Sequence, residues 1–101
     1  FFNRVSAGRI PVFVSAITET EALGYPRLTE ADIQAIENVF FFCNVVLTNS
    51  NLTRRAAEIC RRCKGKPLDG IIAATAMFTN STLATRDEDF KRIPELSIEA
   101  I

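Results

Sequence analysis

The catalytic chemistry open to this chain is that of carboxylates. Its 101 residues include no histidine, which excludes Ser-His-Asp and Cys-His nucleophilic machinery. Acidic side chains adjoin apolar stretches at Glu21, at Asp69 and at the pair Asp87 and Asp89. A carboxylate beside a core is costly unless a helix N-terminus, a cation or a metal ion offsets its charge. The first explanation would make these residues structural, and the other two would make them functional.

Each carboxylate taken singly fits a structural role at a helix start. Thr18 and Glu21 have the spacing of a capping box, in which the acid binds the backbone N–H of the cap residue. Asp69 directly precedes "GIIAATAMF" and would be a good N-cap, which contributes about 1 kcal/mol. Asp87 or Asp89 would cap a short turn. Capping therefore stays open for all of them.

Apolar runs, capping residues and helix breakers predict the elements that would hold these side chains. The first half of the chain is predicted to form a strand at 10–18, a short helix that ends at Gly24, a helix capped by Thr29 with Asp32 in a capping box, and a strand at 44–48. The second half is predicted to form a helix at 52–63 and a buried helix that Asp69 opens and Asn80 ends. A strand at 81–85, a helical turn at 87–93 and a strand at 96–100 follow. This order predicts an α/β fold, a three-layer sandwich with a mostly parallel central sheet flanked by helices. We expect residues 1–101 to form a single domain.

The predicted sheet would bring the acidic residues together. In a parallel sheet, functional groups collect at the carboxyl ends of the strands, where the helices begin. Glu21, Asp69 and Asp87 each stand at such a junction, with Asp89 close by. Clustered carboxylates without a basic partner suit Mg²⁺ or Mn²⁺, which take oxygen ligands. Together, the carboxylates favour a metal site over a set of caps.

Composition narrows the class of protein. The formal net charge is zero, which removes the usual whole-molecule argument for a nucleic-acid partner, although local patches can exist. No apolar stretch reaches the length of a membrane span. Three cysteines are an odd number, and this favours a reducing cytoplasm over a disulfide framework. Cys60 and Cys63 form a C-x-x-C within a helical segment, where buried thiols are favoured over a metal or redox pair.

Three stretches in chain order resemble the PIN-domain nucleases, and specifically the VapC-type toxins of toxin–antitoxin modules. They are "VSAITETEALGYP", "KPLDGIIAATA" and "TLATRDEDFKRIPEL". The resemblance implies a ribonuclease that hydrolyses RNA phosphodiester bonds with carboxylate-bound Mg²⁺ or Mn²⁺ and activated water. It implies Glu21, Asp69 and Asp87 as the catalytic, metal-binding acids. Asp89 would cap the following turn, unless it exchanges roles with Asp87.

Beyond the acids, the family pattern includes residues beside the acids and an N-terminal strand. The resemblance places Thr18 and Thr85 in supporting positions beside the acids, and Gly70 stands where the family often has alanine. The family's first acidic residue ends an N-terminal strand, and residues 1–10 instead look like the end of a helix. We expect that strand to belong to the natural protein and to be missing from this chain, which would leave the chain poorly active.

Two surface segments suggest partners. Six cations lie between positions 54 and 66, and they form either a solvated helix face or, at Arg61, Arg62 and Lys64, an RNA-backbone contact. The segment "VFFFC" at 39–43 is either core or an interface. The resemblance implies a homodimer and an antitoxin segment bound in an apolar groove of the early helices. A contiguous exposed apolar patch there would favour the interface.

Two other functions stay open. One is a non-catalytic, PIN-like interaction module that binds only a protein partner, which metal titration would distinguish from a nuclease. The other is a receiver domain with a phospho-acceptor aspartate. That fold needs an acidic pair after its first strand and a lysine after its last, and neither is visible.

Overall fold

The computed structural model describes residues 10–101, which fall into two units divided between Leu47 and Thr48. The helix end predicted near the start of the chain lies outside the described residues, except for Ile10.

The N-terminal unit pairs two short parallel strands with two helices. Its elements are β1 (Phe13–Ser15), α1 (Ala16–Leu23), α2 (Glu30–Phe41) and β2 (Asn44–Val46). The strands β1 and β2 pair in parallel, with Val14 opposite Val45. Their β-branched residues suit a pleated, half-buried surface.

The strand β1 is shorter than its apolar sequence predicts. Ser15 is buried and its hydroxyl accepts a hydrogen bond from the Ile17 N–H at 3.1 Å, so Ser15 is the N-cap of α1. The predicted strand at 10–18 is therefore wrong at its C-terminal end, where residues 16–18 are helical. A serine cap overrides the strand propensity of the residues that follow it.

The start of α2 agrees with the sequence. The Thr29 hydroxyl accepts from the Asp32 N–H at 3.1 Å, and the Asp32 carboxylate accepts from the Thr29 N–H at 3.0 Å. This reciprocal pair is the predicted capping box. It also lowers the pKa of Asp32, because the Thr29 N–H and hydroxyl stabilise the charged carboxylate.

The C-terminal unit carries the longer helices. Its elements are α3 (Ser50–Cys63), α4 (Pro67–Phe78), β3 (Leu83–Thr85), a 3-10 turn (Glu88–Arg92) and β4 (Ile98–Ala100). The strands β3 and β4 pair in parallel, with Ala84 opposite Glu99. The two helices pack against each other through one face of α3, where Leu52, Ala56 and Ile59 are buried.

Small residues let α4 lie close to its neighbours. Ala73 and Ala74 are fully buried, and Thr75 satisfies its buried hydroxyl by donating to the Ile71 carbonyl at 2.7 Å. The helix ends in a Schellman motif, in which the Ser81 N–H reaches the Ala76 carbonyl and Asn80 has a φ of 53°. The predicted stop at Asn80 is thus confirmed.

The start of α4 differs from the prediction. The helix begins at Pro67, a favoured first helical residue, and Lys66 is its N-cap without a side-chain hydrogen bond. Asp69 is the third helical residue, so its predicted role as the N-cap is wrong. The preceding helix ends in the left-handed residue Lys64, with a φ of 57°.

The order of helices and strands matches the sequence prediction throughout the described residues, and the α/β class is confirmed. Those residues contain two parallel strand pairs, β1–β2 and β3–β4. The single domain and its missing first strand stay predictions. Within the described part of the chain, no helix is long and apolar enough to cross a membrane.

Candidate functional site

Asp69 occupies the first turn of α4 with its carboxylate free. The residue is half-buried, and among residues 10–101 no hydrogen bond or ion pair engages its side chain. Its negative charge is favoured there by the positive end of the helix dipole. The position explains why the charge is tolerated beside a core, and it leaves both oxygens available to a ligand.

The 3-10 turn is capped by Asp87, whereas Asp89 was the expected cap. The Asp87 carboxylate accepts from the Asp89 N–H at 2.9 Å, so Asp87 is the N-cap. The assignment of the cap to Asp89 is wrong, and Asp87, the other residue that the sequence offered as a cap, caps the turn instead. The roles of both aspartates as metal ligands stay predictions. The Thr85 hydroxyl accepts from the Asp87 N–H at 3.1 Å and therefore holds the Asp87 backbone.

Asp69 and Asp89 line one pocket of the C-terminal unit together with three cations. The cations are Lys64, Lys66 and Arg92. Arg92 lies 3.6 Å from the Asp89 carboxylate, whereas neither lysine has an ion-pair partner among the described residues. The pocket therefore joins two carboxylates to two uncommitted positive charges.

Apolar side chains form the base of this pocket. Ile59, Phe90 and Ile93 line it and are almost fully buried. The cavity holds about 90 Å³, which is room for several water molecules. A low-dielectric base strengthens the interaction of the carboxylates with any cation that enters.

Glu21 and Thr18 lie in the N-terminal unit, on α1. Since Ser15 is the cap, Thr18 is the third helical residue and Glu21 the sixth. The predicted capping box between them is therefore wrong. Glu21 is exposed, and the predicted convergence of Glu21 with the acids of the other unit stays a prediction.

A divalent cation fits part of the predicted ligand set. Mg²⁺ is usually held by one or two carboxylates and keeps several waters, which suits the pair Asp69 and Asp89 in one pocket. Within neither unit do three or more His, Cys, Asp or Glu side chains among residues 10–101 form a group that could hold a metal ion. Two carboxylates would leave most of the coordination positions of such a cation to water.

The basic segment divides into engaged and free side chains. Arg62 forms an ion pair with Glu95, which lies 33 residues later in the sequence. The hydrogen bond between them is the main reason that the pKa of Arg62 is raised and the pKa of Glu95 is lowered. Arg61 and Lys64 have no ion pair among the described residues. Arg62 is thus a less suitable RNA contact than the sequence predicted.

Sequence reasoning did not select Lys66 or Cys60 as site residues, and both line the pocket. A signal for Lys66 was present, because it directly precedes Pro67 and so lies within one turn of Asp69. No sequence signal distinguished Cys60 from Cys63, since both thiols follow the same helical spacing. All three cysteines are free and half-buried.

The fold and the site together define an α/β protein with a pocket of mixed charge at the start of a buried helix. The sequence profile of the PIN domain matches residues 3–96. The chain therefore belongs to the PIN domain family, and this family replaces the receiver-domain interpretation. No curated protein matches the sequence closely enough to count as a relative.

Solved structures share this fold. A chain in the crystal structure of VapBC2 from Rickettsia felis, bound to a promoter DNA fragment, aligns with a TM-score of 0.78 and 23% identity over 98% of this chain and 83% of that one. A chain in the structure of VapBC-1 from nontypeable Haemophilus influenzae aligns with a TM-score of 0.75 and 24% identity over 96% of this chain and 84% of that one. A chain in a toxin–antitoxin complex from Klebsiella pneumoniae aligns with a TM-score of 0.75 and 25% identity over 93% of this chain and 79% of that one.

Proposed function

We propose that this protein is a VapC-type toxin, an endoribonuclease that depends on Mg²⁺ or Mn²⁺. One observation carries the proposal: the half-buried Asp69 carboxylate has no partner within residues 10–101, and it shares a pocket with Asp89 and with two lysines that form no ion pair within the same residues. No cap or ion pair within the described residues accounts for this carboxylate, in contrast to Asp32, whose carboxylate closes a capping box. Membership of the PIN family and the fold shared with VapBC structures support the same class.

The residues of the pocket would divide the work of phosphodiester hydrolysis. Asp69 and Asp89 would hold the cation, with Glu21 and Asp87 as the further predicted acids. A bound Mg²⁺ or Mn²⁺ supplies Lewis-acid stabilisation of phosphate charge and a water of lowered pKa. Lys64 and Lys66 would hold the RNA backbone beside the carboxylates, which otherwise repel phosphate. Asp87 would keep the turn that carries Asp89 in place.

A protein partner is supported by an apolar patch on the N-terminal unit. Val39, Phe41 and Phe42, here called the α2 patch, are 62%, 83% and 76% exposed. The two phenylalanine rings meet edge to face with centroids 5.5 Å apart. Exposed aromatic residues of this kind mark interaction surfaces. We propose that the patch takes part in binding a cognate antitoxin or in homodimer formation, in a cytoplasmic protein.

The alternative function is a non-catalytic interaction module. The α2 patch favours it as much as it favours a toxin, because both need a partner surface. The two functions differ at the pocket, where only a nuclease needs a cation.

Replacing Asp69 by asparagine tests the proposal. We expect Asp69→Asn to abolish Mn²⁺ binding measured by calorimetric titration, and to abolish cleavage of a fluorescent RNA, because the amide removes the ligand charge. The thermal midpoint should change little, since the carboxylate makes no hydrogen bond that the variant would lose. Glu88→Gln is the matched control, because Glu88 is an exposed acid near Asp89 that does not line the pocket. A wild-type protein that binds no Mn²⁺ would favour the interaction module.

A further inference from the structure

The helices α3 and α4 lie in close contact at Gly70, the residue after Asp69. Gly70 is buried, and a methyl group added to it would lie 2.6 Å from the Cys60 sulfur and 2.8 Å from the Ala56 carbonyl oxygen. Both distances are shorter than a carbon atom tolerates. Glycine weakens the first turn of a helix relative to alanine, and the contact explains why it is used here.

Cys60 also holds the residue that precedes α4. Its thiol donates a hydrogen bond to the Lys66 carbonyl at 3.4 Å. The same carbonyl accepts the first helical hydrogen bond of α4, from the Gly70 N–H at 3.0 Å. One side chain therefore contacts the N-cap and the fourth residue of α4, and Asp69 lies between these two contacts.

We propose that Cys60 is a positioning residue for Asp69. Its sulfur fixes the first turn of α4 against α3 and so determines where the Asp69 carboxylate enters the pocket. The packing of this turn does not depend on what the pocket binds. The effect of Cys60 on the affinity of the pocket for a metal ion rests on the proposed function. Groups that orient a metal ligand commonly change metal affinity by about 10- to 100-fold when they are removed.

Cys63 provides a matched control in the same helix. It lines the same pocket one turn later, and among the described residues it makes no hydrogen bond to α4. Cys60→Ala and Cys63→Ala remove the same atoms from the same kind of environment. Only the first removes the contacts with Lys66 and Gly70.

The test combines amide hydrogen exchange with Mn²⁺ titration of the purified protein. We expect Cys60→Ala to speed exchange at the Gly70 and Ile71 amides and to weaken Mn²⁺ affinity by about 10-fold. Cys63→Ala should match the wild type in amide exchange at Gly70 and Ile71, because it removes no contact with α4. Cys60→Ser keeps a donor to the Lys66 carbonyl and should fall between Cys60→Ala and the wild type, which a role in packing alone would not produce.

Cys60→Ser keeps the test decisive if Cys60→Ala folds poorly, and Gly70→Ala, alone and combined with Cys60→Ala, tests the same contact from the side of α4. Gly70→Ala should also speed exchange in this turn, and adding Cys60→Ala should partly reverse that effect by removing the nearer of the two obstructing atoms. Equal exchange in the Cys60→Ala and Cys63→Ala variants would overturn the positioning role. Absence of Mn²⁺ binding in the wild type would instead overturn the proposed function, and amide exchange would then decide the positioning role alone.

Discussion

At the residue scale, the aspartates of the C-terminal unit differ in what their oxygens do. Asp87 uses a carboxylate oxygen to cap the 3-10 turn, whereas Asp69 uses none within the described residues. The sequence offered capping as the structural explanation for both. It holds for Asp87 and fails for Asp69, because Pro67 starts the helix two residues earlier than the acid.

The double role proposed for Asp87 can be separated by two substitutions. Asp87→Asn keeps an oxygen that accepts from the Asp89 N–H, and asparagine caps about as well as aspartate. The free energy of unfolding of this variant should therefore match that of the wild type. Asp87→Ala should cost about 1 kcal/mol, measured by urea denaturation. If Asp87 also binds the cation, both variants lose Mn²⁺ affinity. If it is only a cap, Asp87→Asn titrates like the wild type.

At the element scale, one ion pair joins α3 to the segment before β4. Arg62 donates to Glu95, and Glu95 lies between the buried residues Ile93 and Leu96. The hydrogen bond from Arg62 is the main reason that the pKa of Glu95 falls below its ordinary value. A lowered carboxyl pKa means that the native state favours the charged form, which makes this contribution to stability depend on pH.

Glu95→Gln should lower the thermal midpoint in a way that depends on pH. The folded pKa is depressed, so the contribution of Glu95 is complete above the unfolded value of about 4.3 and is lost as pH falls through the folded pKa. The gap between the variant and the wild type should therefore be present at neutral pH and close under acid conditions. Glu88→Gln, in a more exposed pair with Lys91, should show a smaller gap. A gap of the same size at every pH would contradict this account.

The lysines between α3 and α4 should matter for RNA and little for folding. Lys64→Gln with Lys66→Gln removes two positive charges that line the pocket and form no ion pair there. We expect weaker RNA binding in metal-free buffer and a flatter dependence on salt, by about 0.7 in slope for each lost phosphate contact with single-stranded RNA. The thermal midpoint should stay close to the wild type.

The control for the lysine pair is Lys91→Gln. Lys91 is an exposed lysine of the same unit, is paired with Glu88, and does not line the pocket. Its variant should bind RNA as the wild type does. The lysine pair removes two charges and Lys91→Gln removes one, so an equal loss for each charge removed would mean that RNA senses only the net charge.

At the scale of the whole molecule, the proposed partner surface and the proposed cation pocket belong to different units. The α2 patch lies in the N-terminal unit, and the pocket with Asp69 lies in the C-terminal unit. The formal net charge is zero, so long-range attraction gives RNA little help. Local charge at the pocket and apolar area at the patch must then provide selectivity.

Polar substitutions in the α2 patch should separate partner binding from the pocket. Phe41→Ser with Phe42→Ser removes two exposed aromatic residues. We expect loss of self-association in sedimentation, or of binding to the antitoxin in pull-down experiments, with Mn²⁺ affinity unchanged. Retention of both associations would remove the patch as an interface. Tyr25→Ser is the control, because Tyr25 is an exposed aromatic of the same unit outside the patch.

Local sequence signals determined most of the elements of this protein. The Thr29–Asp32 capping box, the stop at Asn80 and the apolar stretches are short-range patterns whose physics is contained within a few residues. For the same reason the sequence identified Asp69, Asp87 and Asp89 as acids at helix or turn starts. Strand ends were less certain, since the choice at residues 16–18 depended on one serine hydroxyl.

The tertiary structure decided which of these side chains are free and which share a pocket. Whether Arg62 is available depends on Glu95, and whether Asp69 is held in place depends on Cys60 and Gly70. Such contacts join residues of different elements, and no local spacing encodes them. Propensity and capping energies act along the chain, whereas ion pairing and close packing act through space and are settled only when the helices dock.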